Sequence, residues 1–318
     1  MFRYRNFHPF VLEMLLIVVI GNIAHAQASI PDLTGNPDKA PFVYDDIHNF
    51  VTAFDQLTEG VDSLSILQTQ YLDKGTPGLD VYVEKYSLTA QMLVKAIQKR
   101  PKAYSELHKI PEILNAYSVE GRKAYSELKK FIPDIAYPPT YFLIGAYRGI
   151  GSSSAEGSLL SVESWPVPIK GRTTMLVHEL VHFQQARTVG VEKYVALYGA
   201  EKNLLGLCLR EGTAEFFSWL VLGEITQTDA LEYTLKNEMK LWGQFRKEMH
   251  GSETGDWIWT KPSDPELPGF VGYTIGFRIV KAYYQNAVDK QQALREILSE
   301  TDYPSFLEKS GYAQQFGE

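Results

Sequence analysis

From Tyr44 to Leu128, apolar residues recur every three to four positions, the spacing of amphipathic helices that share one core. Ile47, Phe50, Val51, Phe54 and Leu57 form one such stripe, and Asp45 or Asp46 stands where a cap belongs. Gly75-Thr-Pro-Gly78 predicts a turn, and Val81 to Gln98 predicts a second amphipathic helix. Lys102-Ala-Tyr-Ser-Glu-Leu107 returns as Lys123-Ala-Tyr-Ser-Glu-Leu128. The offset is close to six helical turns, which predicts two similar helices in an α-hairpin rather than a solenoid. The pattern changes at Pro138-Pro139. Thr140 to Gly145 and Leu159 to Glu163 read as short strands, with Gly149 to Gly157 as a Gly/Ser loop between them, so a small sheet with a hairpin-like connection is expected. From Thr173 onward the chain reads as mainly helical, except for an irregular stretch, His250 to Gly269, that carries Trp257, Trp259 and three prolines. The fold class expected is α+β, mainly α-helical. A division near residue 137 separates a helical N-terminal region, 27–137, from a region 138–318 that holds the sheet and the later helices.

The first residues change the picture from a fold to a destination. Arg3 and Arg5 precede the apolar run Met14 to Ile20, and Ala24-His25-Ala26 has the small-x-small form of a cleavage site. Residues 1–26 therefore read as a secretory signal peptide with Gln27 opening the mature chain, and no stable membrane span is expected after cleavage. No cysteine stands at that site, so nothing there supports a lipid anchor. Residues 27–42, with three prolines, read as an extended leader. The expected location is periplasmic or extracellular.

Composition narrows the classes. The chain has 318 residues, 45% hydrophobic and 22% charged, which suits a folded globular chain and excludes disorder. Its net charge is −7. Removing Arg3, Arg5 and Glu13 with the signal takes away a net single positive charge, so the mature chain is more acidic still. That argues against a nucleic-acid partner. The Gly/Ser loop lacks the Gly-Lys-Ser/Thr ending of a phosphate loop. The one cysteine, Cys208, excludes an intrachain disulfide and a Cys-rich structural zinc site. It reads as a small buried hydrophobe.

Seven histidines remain to be placed, and two of them stand in His178-Glu179-Leu180-Val181-His182. Residues four apart lie on one face of a helix, so both imidazoles can meet one metal ion while Glu179 reaches a water bound to it. Thr173 or Thr174 can cap that helix and Gly190 can end it. Downstream, Glu211 and Glu215 are again four apart, inside the strongly apolar run Leu204 to Leu220. A buried carboxylate needs a partner, and a metal supplies one. Glu211 is the candidate third ligand, which leaves Glu215 to orient a ligand histidine. His48 and His108 lie on helices remote from this motif.

This pair of motifs resembles the gluzincin metallopeptidases, which combine H-E-x-x-H with a glutamate on a later helix. Leu209-Arg-Glu-Gly-Thr-Ala-Glu-Phe216 is similar to the Glu-Gly-x-Ala-Glu stretch of aminopeptidase-type members. A group of predicted bacterial zinc proteases shows a similar strand–loop–strand before the motif and a late Gly-Tyr-x-x-Gly, here Gly272 to Gly276. The resemblance spans about residues 138–285. It implies a zincin-like catalytic region, one Zn2+ held by His178, His182 and Glu211, and a peptide or protein substrate. Bound water would have its pKa lowered toward about 7, and Glu179 would be the general base. Tyr273 is the first candidate for oxyanion stabiliser and His250 the second. A Gly-x-Met-x-Asn motif is absent, which argues against exopeptidase action. A strand near Leu159 to Glu163 is expected to pair with an extended peptide. The alternative is a metal-binding scaffold or interaction protein that cuts nothing.

Overall fold

A computed structural model describes residues 33–163, 172–259, 262 and 265–317. The expected signal peptide, residues 1–26, lies outside the described residues. The architecture is α+β and mainly helical, with one small mixed sheet. Helices α1 (Asp45–Phe54), α2 (Ser63–Gln70), α3 (Pro77–Tyr86), α4 (Ala90–Lys99), α5 (Pro101–Ser105) and α6 (Ile110–Phe131) precede most of the sheet. Strands β1 (Phe42–Val43), β2 (Thr140–Leu143), β3 (Gly151–Ser153) and β4 (Ser158–Ser161) pair in the order β1-β2-β4-β3. Then come α7 (Thr173–Val189), α8 (Val191–Tyr198), α9 (Leu204–Leu222), α10 (Thr228–Glu248), α11 (Val271–Asn286), α12 (Lys290–Ser299) and α13 (Tyr303–Ser310).

Several local expectations change for identifiable reasons. The leader is not simply extended: Phe42 and Val43 add a strand parallel to β2. The predicted helix 81–98 is two helices, because Ser87 takes a left-handed φ of 49° and Thr89 caps a new start through its hydroxyl. Pro77-Gly78 belongs to the first turn of α3, where proline suits the first position and Thr76 caps. The repeated hexapeptide does not make a hairpin. Its first copy spans α5 and a 3-10 turn, while its second lies within α6. Both copies still bury their tyrosine and leucine, Tyr104 and Leu107, Tyr125 and Leu128. The Gly/Ser loop contains β3, an edge strand antiparallel to β4, because backbone pairing rather than side-chain propensity holds it. Arg172, with no side-chain cap, precedes α7 in place of a capping threonine.

Strands β2 and β4 are buried at every residue, so both their faces are covered. Tyrosines dock the N-terminal helices onto the strand ends. Tyr71 donates its hydroxyl proton to the Ile144 carbonyl (2.7 Å) and accepts from the Ile144 amide (2.9 Å), and Tyr82 donates to the Gly149 carbonyl (3.0 Å). Glu163 then fixes the turn that leads to β3. It accepts from the Gly145 and Tyr147 amides (2.9 and 2.7 Å) and from Ser161 (2.6 Å), across Ala146 and Tyr147 in left-handed conformations. One continuous apolar core runs from Ala40 to Tyr312.

Asp46, expected as a cap, is instead fully buried and ties α1 to the start of α3. It accepts from the Thr76 amide (2.9 Å) and hydroxyl (2.5 Å). Burial pushes its carboxyl up to about 6. The neutral form is favoured in the fold, so this contribution to stability is full below the unfolded carboxyl pKa and is lost as pH rises through about 6. Asp46→Asn should therefore gain on the wild type between pH 4 and pH 7.5, by roughly 2–3 kcal/mol. Urea unfolding at the two pH values measures this, and parallel curves for the two proteins would refute it.

Candidate functional site

Helices α7 and α9 pack together at an open cleft of about 540 Å³, the solvent space at its mouth included. His178 and His182 project from one face of α7, as their spacing requires, and Glu211 meets them from α9. All three are buried. Their ligating atoms form a nearly equilateral triangle: His178 Nε2 to His182 Nε2 is 3.1 Å, His182 Nε2 to Glu211 Oε2 is 3.1 Å, and His178 Nε2 to Glu211 Oε2 is 3.3 Å. Ligands about 2.0–2.1 Å from a tetrahedral ion stand roughly 3.3–3.4 Å apart, so the triangle has nearly the size of one face of a zinc tetrahedron.

The surroundings set the direction of each ligand. His182 Nδ1 lies 2.9 Å from Gln185 Oε1 and 3.1 Å from the Tyr194 hydroxyl, which leaves Nε2 as the free lone pair. Tyr198 donates to the other carboxylate oxygen of Glu211 at 3.4 Å. His178 Nδ1 faces Glu215 Oε1 at 3.5 Å, without an aligned hydrogen bond. Glu215 is itself held by the amide (2.7 Å) and hydroxyl of Thr226. Burial alone would raise the Glu211 carboxyl, but the imidazoles of His182 and His178 outweigh it and hold Glu211 well below the usual range. Burial leaves Glu179 above that range, although the same two imidazoles pull it down.

Charge supports the same reading. Glu179, Glu211 and Glu215 are all buried, and Lys85 brings an ammonium to the side of Glu179 and Glu211. With all three carboxylates ionised and the imidazoles neutral, as ligation requires, two negative charges would stand unbalanced in a desolvated site, a deficit that one divalent cation would fill.

Glu179 lines the cleft beside β3, so close that a Cβ on Gly151 would fall 2.5 Å from its Oε1. Tyr273 on α11 also lines it. Its ring stacks on His178 at 6.1 Å and its hydroxyl accepts from Trp259 Nε1 at 3.0 Å. The structure does not bring His250 to the cleft; it is exposed beyond the end of α10. Nor does it bring His48 or His108, both exposed; His108 faces Asp55. Cys208 points at Gly272 of α11, not at the histidines. The strand expected to receive a peptide, Leu159 to Glu163, coincides with β4, which has neighbours on both sides. The free edge at the cleft is β3. Sequence reasoning missed Lys85, Ser152, Tyr194, Tyr198 and Gln185. Lys85 comes from α3 and donates to Ser152, a contact between distant parts of the chain that no local pattern encodes.

Among the described residues no helix is long and apolar enough to cross a membrane. No curated protein and no solved structure matches the chain. Residues 184–314 match the family model of gliding motility protein GldB, a lipoprotein family. The matched segment contains Glu211, Glu215 and Tyr273 and begins just after His182. This match overturns the gluzincin resemblance and, with it, the expected zinc peptidase, its hydrolase class and its protease substrate. The physical reason is that the sequence motifs report a ligand set, and a ligand set can serve a structural site as well as a hydrolytic one. What the comparisons show is a similarity, over less than half of the chain, to a motility-related lipoprotein family.

Proposed function

We propose that this chain is an exported, envelope-associated protein in which one divalent metal ion joins α7 to α9, and that it works through contacts with other proteins and cuts none. The observation that carries the metal is the triangle of His178, His182 and Glu211, buried and already at ligand spacing. Two imidazoles and one carboxylate favour zinc among the divalent ions. The ion would fix the crossing of the two helices and neutralise the carboxylates around it. In this reading Glu179 and Lys85 balance charge beside the ion. Similarity to a gliding motility family supports a role as an interaction component of an envelope assembly, and the secretory signal supports export to the periplasmic or extracellular side.

Two measurements test this. The mature chain, purified metal-replete, should carry one equivalent of zinc by elemental analysis; under about half an equivalent of any divalent metal would overturn the site. The same protein should leave a diverse peptide library uncut. Cleavage by the wild type that disappears in Glu179→Gln would overturn the non-proteolytic reading. In the cell, cross-linking should place the chain in a discrete complex, and a chain found only uncomplexed would refute the interaction role.

A further inference from the structure

Arg210 precedes the candidate ligand Glu211 on α9 and is 4% exposed. It is a buried guanidinium without a carboxylate partner among the described residues. Its contacts are tyrosines. Nη1 donates to the Tyr303 hydroxyl of α13 at 2.6 Å, and Nη2 donates to the Tyr194 carbonyl of α8 at 3.3 Å. Its Cζ lies 4.1 Å from the centre of the Tyr194 ring and 4.6 Å from that of Tyr198. Nε has no hydrogen-bond partner. A core that needed only volume here would use leucine or methionine and avoid desolvating a charge. The cost calls for something that Arg210 alone supplies.

The other ends of the two tyrosines show what that is. Tyr194 and Tyr198 are one turn apart on α8, a helix of eight residues whose first turn is exposed. The Tyr194 hydroxyl stands 3.1 Å from His182 Nδ1 and donates to Gln185 Oε1 at 3.2 Å, while the Tyr198 hydroxyl donates to Glu211 Oε1 at 3.4 Å. The Arg210 carbonyl accepts from Gln185 Nε2 at 3.2 Å. Backbone and side chain of this one residue thus touch all three groups that orient His182 and Glu211.

We propose that Arg210 is a positioning residue of the metal centre: cation–π contacts with Tyr194 and Tyr198, anchored by Tyr303, hold α8 against α9 and aim two hydroxyls at the ligands. The inference deepens the metal-site reading and rests on it. Outer groups that orient ligands are worth about 10–100-fold in metal affinity. The test compares wild type, Arg210→Met and the double variant Tyr194→Phe/Tyr198→Phe in the full mature chain. Zn2+ affinity is measured by competition with a chromophoric chelator, and the visible spectrum is recorded after Co2+ substitution. Arg210→Met should lose about 10–100-fold in affinity and shift the cobalt bands, while cooperative unfolding persists. The tyrosine pair keeps both rings and loses only the hydroxyls, so it should show the same direction even if Arg210→Met does not fold. Wild-type affinity and an unchanged spectrum in a folded variant would overturn the clamp alone. Failure of the wild type to bind Zn2+ or Co2+ would overturn the metal site and the clamp with it.

Discussion

Gly276→Ala should destabilise the protein by at least about 3 kcal/mol, or abolish cooperative unfolding altogether. Helices α9 and α11 touch backbone to backbone. A Cβ on Gly276 would lie 1.7 Å from the Cys208 carbonyl oxygen, and one on Gly212 would lie 2.1 Å from the Gly276 carbonyl carbon. Gly272 completes the contact, since its Cβ would meet the Cys208 sulfur at 2.7 Å. Main-chain atoms cannot rotate aside as a side-chain tip can, so one methyl group must push two buried helices apart. Both helices carry the site: Glu211 adjoins Gly212, and Tyr273 lies between Gly272 and Gly276. The spacing seen as Gly-Tyr-x-x-Gly in the sequence is thus a packing device, which sets Tyr273 against His178. Denaturant unfolding of Gly276→Ala decides the matter, and a loss under 1 kcal/mol would show that the helices are not so close.

Removing the proposed metal ion should have the second large effect. An ion that binds the native state alone stabilises it by about 4 kcal/mol when its free concentration is a thousand times its dissociation constant. Wild-type protein titrated with zinc should gain stability on that scale and lose it on chelation. In Glu211→Ala the zinc-dependent gain should vanish, since the carboxylate closes the ligand triangle. In Glu215→Ala, which removes only a group 3.5 Å from His178 Nδ1, the affinity should drop by roughly 10–100-fold and part of the gain should remain. The opposite ranking would exchange the roles of the two glutamates. Comparing each variant with and without zinc cancels the direct cost of its substitution.

The candidate ligands were legible because their geometry is local. Two histidines one helical turn apart share a face wherever the helix sits, and a carboxylate pair inside an apolar helix needs a partner. Residues whose position depends on another part of the chain were not legible. Lys85 reaches the cleft from α3, and Tyr194 and Tyr198 meet His182 and Glu211 only through the packing of α8 on α7 and α9. Arg210 carried a faint signal, as a cation inside the apolar run Leu204 to Leu220. Strand β3 was hidden in a Gly/Ser segment, because its backbone hydrogen bonds to β4 rather than its side chains hold it extended. The peptidase reading fails at a different level, since three residue types at the right spacing specify a ligand set and not a reaction.

Local sequence carries the helix-rich class, the short strands after Pro139, the export signal as an expectation, and the pairing of His178 with His182. Each of these follows from periodicity or composition within a few turns of chain. Tertiary structure alone decided that Glu211 comes within 3.3 Å of both imidazoles, that α9 and α11 meet at glycines, and that a buried arginine stands behind the ligands. Those facts depend on how helices cross, and crossing is set by the shapes that pack between them, which no local pattern in the sequence records.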